Sequence, residues 1–262
     1  MNGVDLEYLE AGTGTPVVFS HGAGCDLRYW EPQRESVAAR YRFVAYSQRY
    51  HGRGPWPADG DASAEAHTRD LVAVLRGLDG PPAHLVGFST AIALRAALRA
   101  PDLIRSLTVI EPNLPWLLQG DAEGKAVLAA WRAENARLEA EAAGDRERRA
   151  RLWFELVDNA GAGAFDAQPE AFQRMWFDNF GLARPTGGTP APVTCDDLHP
   201  IGVPTLALGG GRGMHYSRAI LDRLAHCIPD CELVIVPGAT HFMSYQEPTT
   251  FNRQLLDFLA LH

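Results

Sequence analysis

The stretch "HLVGFSTAIALRAALRAPD", residues 84 to 102, begins as an apolar strand, turns at Gly87-Phe88-Ser89-Thr90-Ala91, and continues as an amphipathic helix. A serine between small neighbours at such a corner has the pattern of a nucleophile elbow. The sharp turn forces strained backbone angles on the serine and leaves room only for small flanking residues. Gly87 and Ala91 meet that size rule. The corner would lift the Ser89 hydroxyl above the sheet edge, beside a helix N-terminus that favours developing negative charge. The same position also suits Ser89 as a plain helix N-cap.

A serine at its ordinary pKa is a weak nucleophile, so attack on a carbonyl requires a histidine base and a group that orients it. His241 in "VPGATHFMSYQEP" lies in a loop after the last apolar strand pattern and is the first of nine histidines for this role. His215 is the second candidate. His21 in "FSHGAGCD" directly follows an apolar strand. There it can brace its loop, with the backbone amides of Ala23 and Thr90 forming an oxyanion hole. An ordinary strand-ending turn is the plainer reading of that segment.

These residues need a scaffold, and the apolar runs supply one. Val17–Phe19, Phe43–Tyr46, Leu85–Val86 and Leu107–Ile110 read as buried strands separated by helical patterns at Ala64–Leu78 and Ala91–Arg99. The same grammar returns with Thr205–Leu208, a helix near Ser217–His226, Leu233–Val236 and a final helix Thr250–Leu261. Alternating strands and helices predict an α/β fold with a mostly parallel central sheet flanked by helices. Between Pro112 and about Pro200 the composition is helical, and the later part is rich in aromatic residues. We expect a helical lid there, so that 1–111 and 201–262 form the core and 112–200 the insertion. Extra helices packed on the sheet are the simpler alternative. The turn formers Pro185-Thr186-Gly187-Gly188-Thr189-Pro190 suggest a mobile loop within it.

Strand-His21-Gly22, the elbow Gly87–Ala91 and the late His241 occur in the order seen in the α/β-hydrolase fold superfamily, which this chain resembles over nearly its whole length. The segment "RFVAYSQRYHGRGPW" also resembles that family, with Ser47 where an aspartate is common and Tyr50 where a glycine is. Most members carry the triad acid after the strand here read as Thr205–Leu208, but "GGGRGMHY" follows and no Asp or Glu occurs before Asp222. Glu111, at the end of "SLTVIEPNLPW", tips the preceding strand, on the edge where sites assemble in open α/β sheets. It is the expected acid, similar to the subset that includes zearalenone-type lactonases. A glutamate that merely opens a helix before Pro112 is the alternative reading, and Asp196 or Asp197 is the reserve.

The resemblance implies a serine hydrolase acting on an ester or lactone through Ser89, His241 and Glu111, with no cofactor. Trp116, Trp153, Trp176 and Phe88 are the expected substrate-binding residues, lining an apolar pocket for a small hydrophobic molecule. The same fold also hosts lyases, cyclases and isomerases, and a ligand receptor with slow turnover is a further possibility. The glycine run at 209–213 lacks a Gly-Lys-Ser/Thr ending and reads as a flexible loop beside the site, and no metal-ligand spacing occurs.

The chain has 262 residues, a formal net charge of −8 and a sequence pI near 5.6, which disfavours a nucleic-acid partner. One domain is expected, as monomer or homodimer. No stretch reads as a membrane segment or a basic-apolar leader, so the expectation is a cytoplasmic protein. Cys25, Cys195, Cys227 and Cys231 form no CxxC pair and read as free thiols.

Overall fold

The computed structural model describes residues 2–54, 56–57, 59–180, 191–214 and 216–262. His215 and the turn-rich segment 185–190 lie outside these. Seven strands form one sheet in the order β1-β3-β2-β4-β5-β6-β7. They are β1 (Tyr8–Ala11), β2 (Pro16–Ser20), β3 (Arg42–Tyr46), β4 (Ala83–Phe88), β5 (Ile104–Ile110), β6 (Thr205–Gly210) and β7 (Cys231–Val236). Only β1 runs antiparallel, against β3 at the sheet edge. Strands β2 and β4 are buried along their whole length, as expected for strands covered on both faces.

The helices are α1 (Glu31–Ala38), α2 (Ala64–Gly77), α3 (Ile92–Arg99), α4 (Ala122–Ala142), α5 (Arg146–Asp158), α6 (Glu170–Asn179), α7 (Cys195–Leu198), α8 (Ser217–Cys227), α9 (Met243–Gln246) and α10 (Pro248–Leu261). None of the described helices is long and apolar enough to cross a membrane. The sequence pattern located the strands from β2 onward but passed over β1 and α1. The four residues of β1 show only an alternation of exposed and half-buried positions, a weak signal.

Helices α4 to α7 occupy the chain between β5 and β6. Ala143 and Gly144, both at positive φ, separate α4 from α5. This inserted segment docks on the loops after β2 and β3. Asn179 donates to Asp26 Oδ2 at 2.8 Å and accepts from the Gly52 N–H at 2.8 Å. Trp176 packs so closely on Gly24 that a Cβ there would lie 2.5 Å from the indole. Beneath the β3 loop, Arg49 and Asp70 form a buried ion pair with two hydrogen bonds, at 2.6 and 2.8 Å.

The free-thiol reading is corrected at two positions: Cys195 and Cys227 form a disulfide, while Cys25 and Cys231 are free. The pair is 32 residues apart, and the fold brings it together by seating α7 against the C-terminal end of α8. Local spacing carries no trace of such a contact. Closing a loop of this length stabilises a chain by about 3–4 kcal/mol through the unfolded state. In urea titrations of the oxidised protein, Cys195→Ser is expected to lower stability by about that amount. A reducing agent should bring the wild type down to the level of the variant.

Candidate active site

Parallel register assembles the site. Phe88 pairs with Ile110, Ile110 with Leu208, and Gly210 with Val236, so β4, β5, β6 and β7 end at one edge. Each strand hands its next residue to the neighbouring strand. The Ser89 N–H donates to Ile110 O at 2.9 Å, and the Glu111 N–H donates to Leu208 O at 3.0 Å. Both residues leave their strands with positive φ, 59° for Ser89 and 41° for Glu111, in a region uncommon for side-chain-bearing residues. The sheet ladder on one side and the following turn on the other hold them there.

The side chains form one hydrogen-bonded line. His241 Nε2 lies 3.0 Å from Ser89 Oγ, and His241 Nδ1 lies 2.7 Å from Glu111 Oε2. Glu111 is fully buried and also accepts from the Gly210 N–H at 2.8 Å and the Ser217 hydroxyl at 3.0 Å. Acceptance of an Nδ1–H by this carboxylate selects the tautomer that leaves Nε2 free to take a proton from Ser89. Burial, with a further push from Glu111, holds the Tyr216 phenol protonated well above its ordinary range.

The corner is packed as the elbow pattern requires. A Cβ on Gly87 would overlap Ala93, and one on Gly22 would come within 2.8 Å of the Ser89 Cβ. The helix cap falls to other residues: Ala91 is the N-cap of α3, and Thr90 Oγ1 accepts from the Ile92 N–H at 3.4 Å. His21 accepts from the Gln48 N–H on Nε2 at 2.9 Å, and its Nδ1 contacts Gly22 O at 2.9 Å, tying the β2 and β3 loops together. Ala23 and Thr90 both border a cavity of about 280 Å³ that opens on Ser89. Asp196 and Asp197 lie on the exposed α7, where Asp197 forms a capping box with Thr194.

The aromatic residues divide differently from expectation. Trp116 borders the cavity. Phe88 is fully buried, stacked on Tyr29 at 4.7 Å and packed against His241 at 4.8 Å. Trp176 is buried among Phe154, Phe180 and Phe242 and donates its indole N–H to Ala150 O. Trp153 packs on Trp131 and Phe180. Phe88 and Trp176 are thus buried by packing and Trp153 is half-buried, and none of the three is among the residues that line the cavity on Ser89. Apolar rings bury most area in contact with one another, and here that cluster includes Phe242, the residue after His241, while Phe88 packs on the His241 ring.

The sequence reading missed the residues that steady the loops. Gln246 donates to the buried Asp158 Oδ2 at 3.1 Å, while the Thr240 hydroxyl contacts Gln246 Oε1. Asn159 donates to Gly213 O at 3.1 Å. The end of α5 therefore ties down both the His241 loop and the loop beside Glu111. The glycine run is likewise no slack loop. A Cβ on Gly210 would strike the backbone of Ala239 and Thr240, and one on Gly213 would overlap the Glu111 carboxylate. Close approach is what glycine permits here.

Gly213→Ala is expected to displace the Glu111 carboxylate and slow reaction of Ser89 with a fluorophosphonate about 100-fold, as ångström-scale misplacement of catalytic groups does. Gly211→Ala, whose Cβ would meet its neighbours at 3.4 Å, should stay within about threefold of wild type, with both variants monitored by circular dichroism.

Residues 17–254 match the model of the alpha/beta hydrolase family. A Variovorax paradoxus protein named as a carbamate hydrolase, RutD, is 29% identical, the alignment spanning 94% of this chain and 92% of that one. The 2-(acetamidomethylene)succinate hydrolase of Mesorhizobium japonicum is 26% identical over 98% of this chain and 92% of its own. Among solved structures, Est816, described as an N-acyl homoserine lactone degrading enzyme, superimposes with a TM-score of 0.76 at 26% identity, covering 98% of each chain. A strand-end serine, a loop histidine and a family match that embraces both lead to one conclusion: this chain belongs to the α/β hydrolase family and is an enzyme of that family.

Proposed function

We propose that this hydrolase cleaves an ester or lactone of a small substrate through an acyl-enzyme formed on Ser89. The observation that carries the reading is the continuous hydrogen-bonded line from buried Glu111 through His241 to Ser89, whose hydroxyl faces the cavity. Ser89 Oγ attacks the carbonyl carbon while its proton passes to His241 Nε2. The resulting oxyanion is held by the amides of Ala23 and Thr90. When the tetrahedral adduct collapses, His241 returns the proton to the departing alkoxide. Water then repeats the sequence against the acyl-enzyme, releasing the acid and restoring Ser89. Glu111 stays ionised throughout and stabilises the imidazolium.

The relatives act, by name, on a carbamate, an acyl homoserine lactone and an acetamidomethylene succinate. Each name denotes attack on a carbonyl, which supports the reaction class and leaves substrate choice to the cavity. Its apolar wall includes Ile92 and Trp116, suited to a short hydrophobic body. The helices between β5 and β6 serve as its lid, packed over the loops that carry Ala23 and His241.

Intact-mass analysis after fluorophosphonate treatment should show a single adduct on wild type and none on Ser89→Ala. His241→Ala should react about 10³-fold more slowly or worse. A folded wild type that gains no adduct would overturn the reading. In an ester and lactone screen, Glu111→Gln is expected to lower kcat by about 10²–10⁴-fold, whereas Asp196→Asn and Asp197→Asn should remain near wild type. Equal losses in all three variants would remove Glu111 from its role.

A further inference from the structure

The chain is acidic, with 32 Asp and Glu against 24 Lys and Arg, yet among the described residues no acidic side chain lines the cavity on Ser89. Among the described residues its wall carries one permanent cation, Arg95, together with Gln48, His51, His67 and Asn113. We propose that this wall is an anion-recognition site, so that the ester or lactone cleaved at Ser89 carries a free carboxylate that Arg95 holds. The inference rests on the hydrolase reading and names its substrate class.

Arg95 stands in the first turns of α3, the helix that begins three residues after Ser89, so the guanidinium and the Ser89 hydroxyl border the same cavity. Its Nη2 donates to Ala191 O, which anchors the group without neutralising it. The Nε–H is buried and has no acceptor among the described residues. A buried donor left unpaired is costly, and a guanidinium presents its N–H groups in a planar fork that matches the two oxygens of a carboxylate. Hydrogen bonds from Thr194, with a smaller contribution from Arg95, favour the ionised form of Asp197, whose Oδ2 is taken by Thr194 and which makes no ion pair with Arg95. Arg95 thus lines the cavity without an ion-pair partner among the described residues. His51 and His67, in edge contact at 6.2 Å, and Asn113 add polar atoms on the same wall, while Ile92 and Trp116 accommodate the carbon chain. The carboxylate would sit at one end and the scissile carbonyl at Ser89.

The test compares monomethyl glutarate with its uncharged counterpart methyl valerate by titration of released acid. Wild type is expected to favour the glutarate ester in kcat/KM by about tenfold to a hundredfold, the range of a charge-assisted hydrogen bond, mainly through KM. In Arg95→Gln that ratio should collapse toward one, and Arg95→Lys, which keeps charge without the fork, should fall between. A wild-type ratio near one, or a ratio unchanged in Arg95→Gln, overturns the proposal. If neither methyl ester is turned over, the rate of fluorophosphonate addition to Ser89 becomes the readout. Slowing by glutarate but not by glutaramide, lost in Arg95→Gln, upholds the inference, and equal effects of the two compounds sink it. Failure of Ser89 to react at all strikes the hydrolase reading instead, and calorimetric titration with glutarate and glutaramide then decides the anion site by itself.

Discussion

The structure turns on one buried carboxylate. Glu111 is sealed from solvent at the tip of β5, where a buried carboxyl needs partners, and three donors converge on it: the Gly210 amide, the Ser217 hydroxyl and His241 Nδ1. Each comes from a different part of the chain, the end of β6, the start of α8 and the loop after β7. Satisfying this one group therefore fixes the relative placement of three elements, and through His241 it reaches Ser89. A missing donor would leave the charge undercompensated and would also loosen the base.

Around that carboxylate, close packing leaves little freedom. The glycines at 210 and 213 allow backbone and carboxylate to approach more nearly than any side chain would permit. The aromatic cluster of Phe88, Phe154, Trp176 and Phe242 packs against His241 and takes in its neighbour Phe242. The inserted helices thus pack against the His241 loop, through Phe154 on Phe242 and Asp158 on Gln246. Preorganisation of this kind is how a serine, a histidine and a carboxylate act as a unit, since the polar groups need not reorganise as charge develops.

The cavity itself shows a division of labour. Its floor, with Ser89, Ala23 and Thr90, is built from strand-end loops held by the sheet, while its polar wall comes from α2, α3 and the β3 loop. The strand-end loops and the wall elements can therefore vary separately, and the relatives are named for a range of carbonyl compounds.

What the sequence determined by itself follows from local signals. Apolar runs and small residues around Ser89 made the strands, the elbow and the strand-tip position of Glu111 legible, because strand burial and sharp turns leave marks within a few residues. The weakly patterned β1 left almost none. Only the tertiary structure decided the rest. The Cys195–Cys227 bridge, the cage around Glu111, the turn of Trp176 and Phe88 into the core and the choice of Arg95 as the cavity's cation all depend on contacts between distant segments. An aromatic residue has the same composition whether it faces ligand or core, and a glycine run reads alike whether slack or tightly packed. The neighbours that distinguish these cases are set by how the sheet brings its loops together, and that is a property of the whole chain.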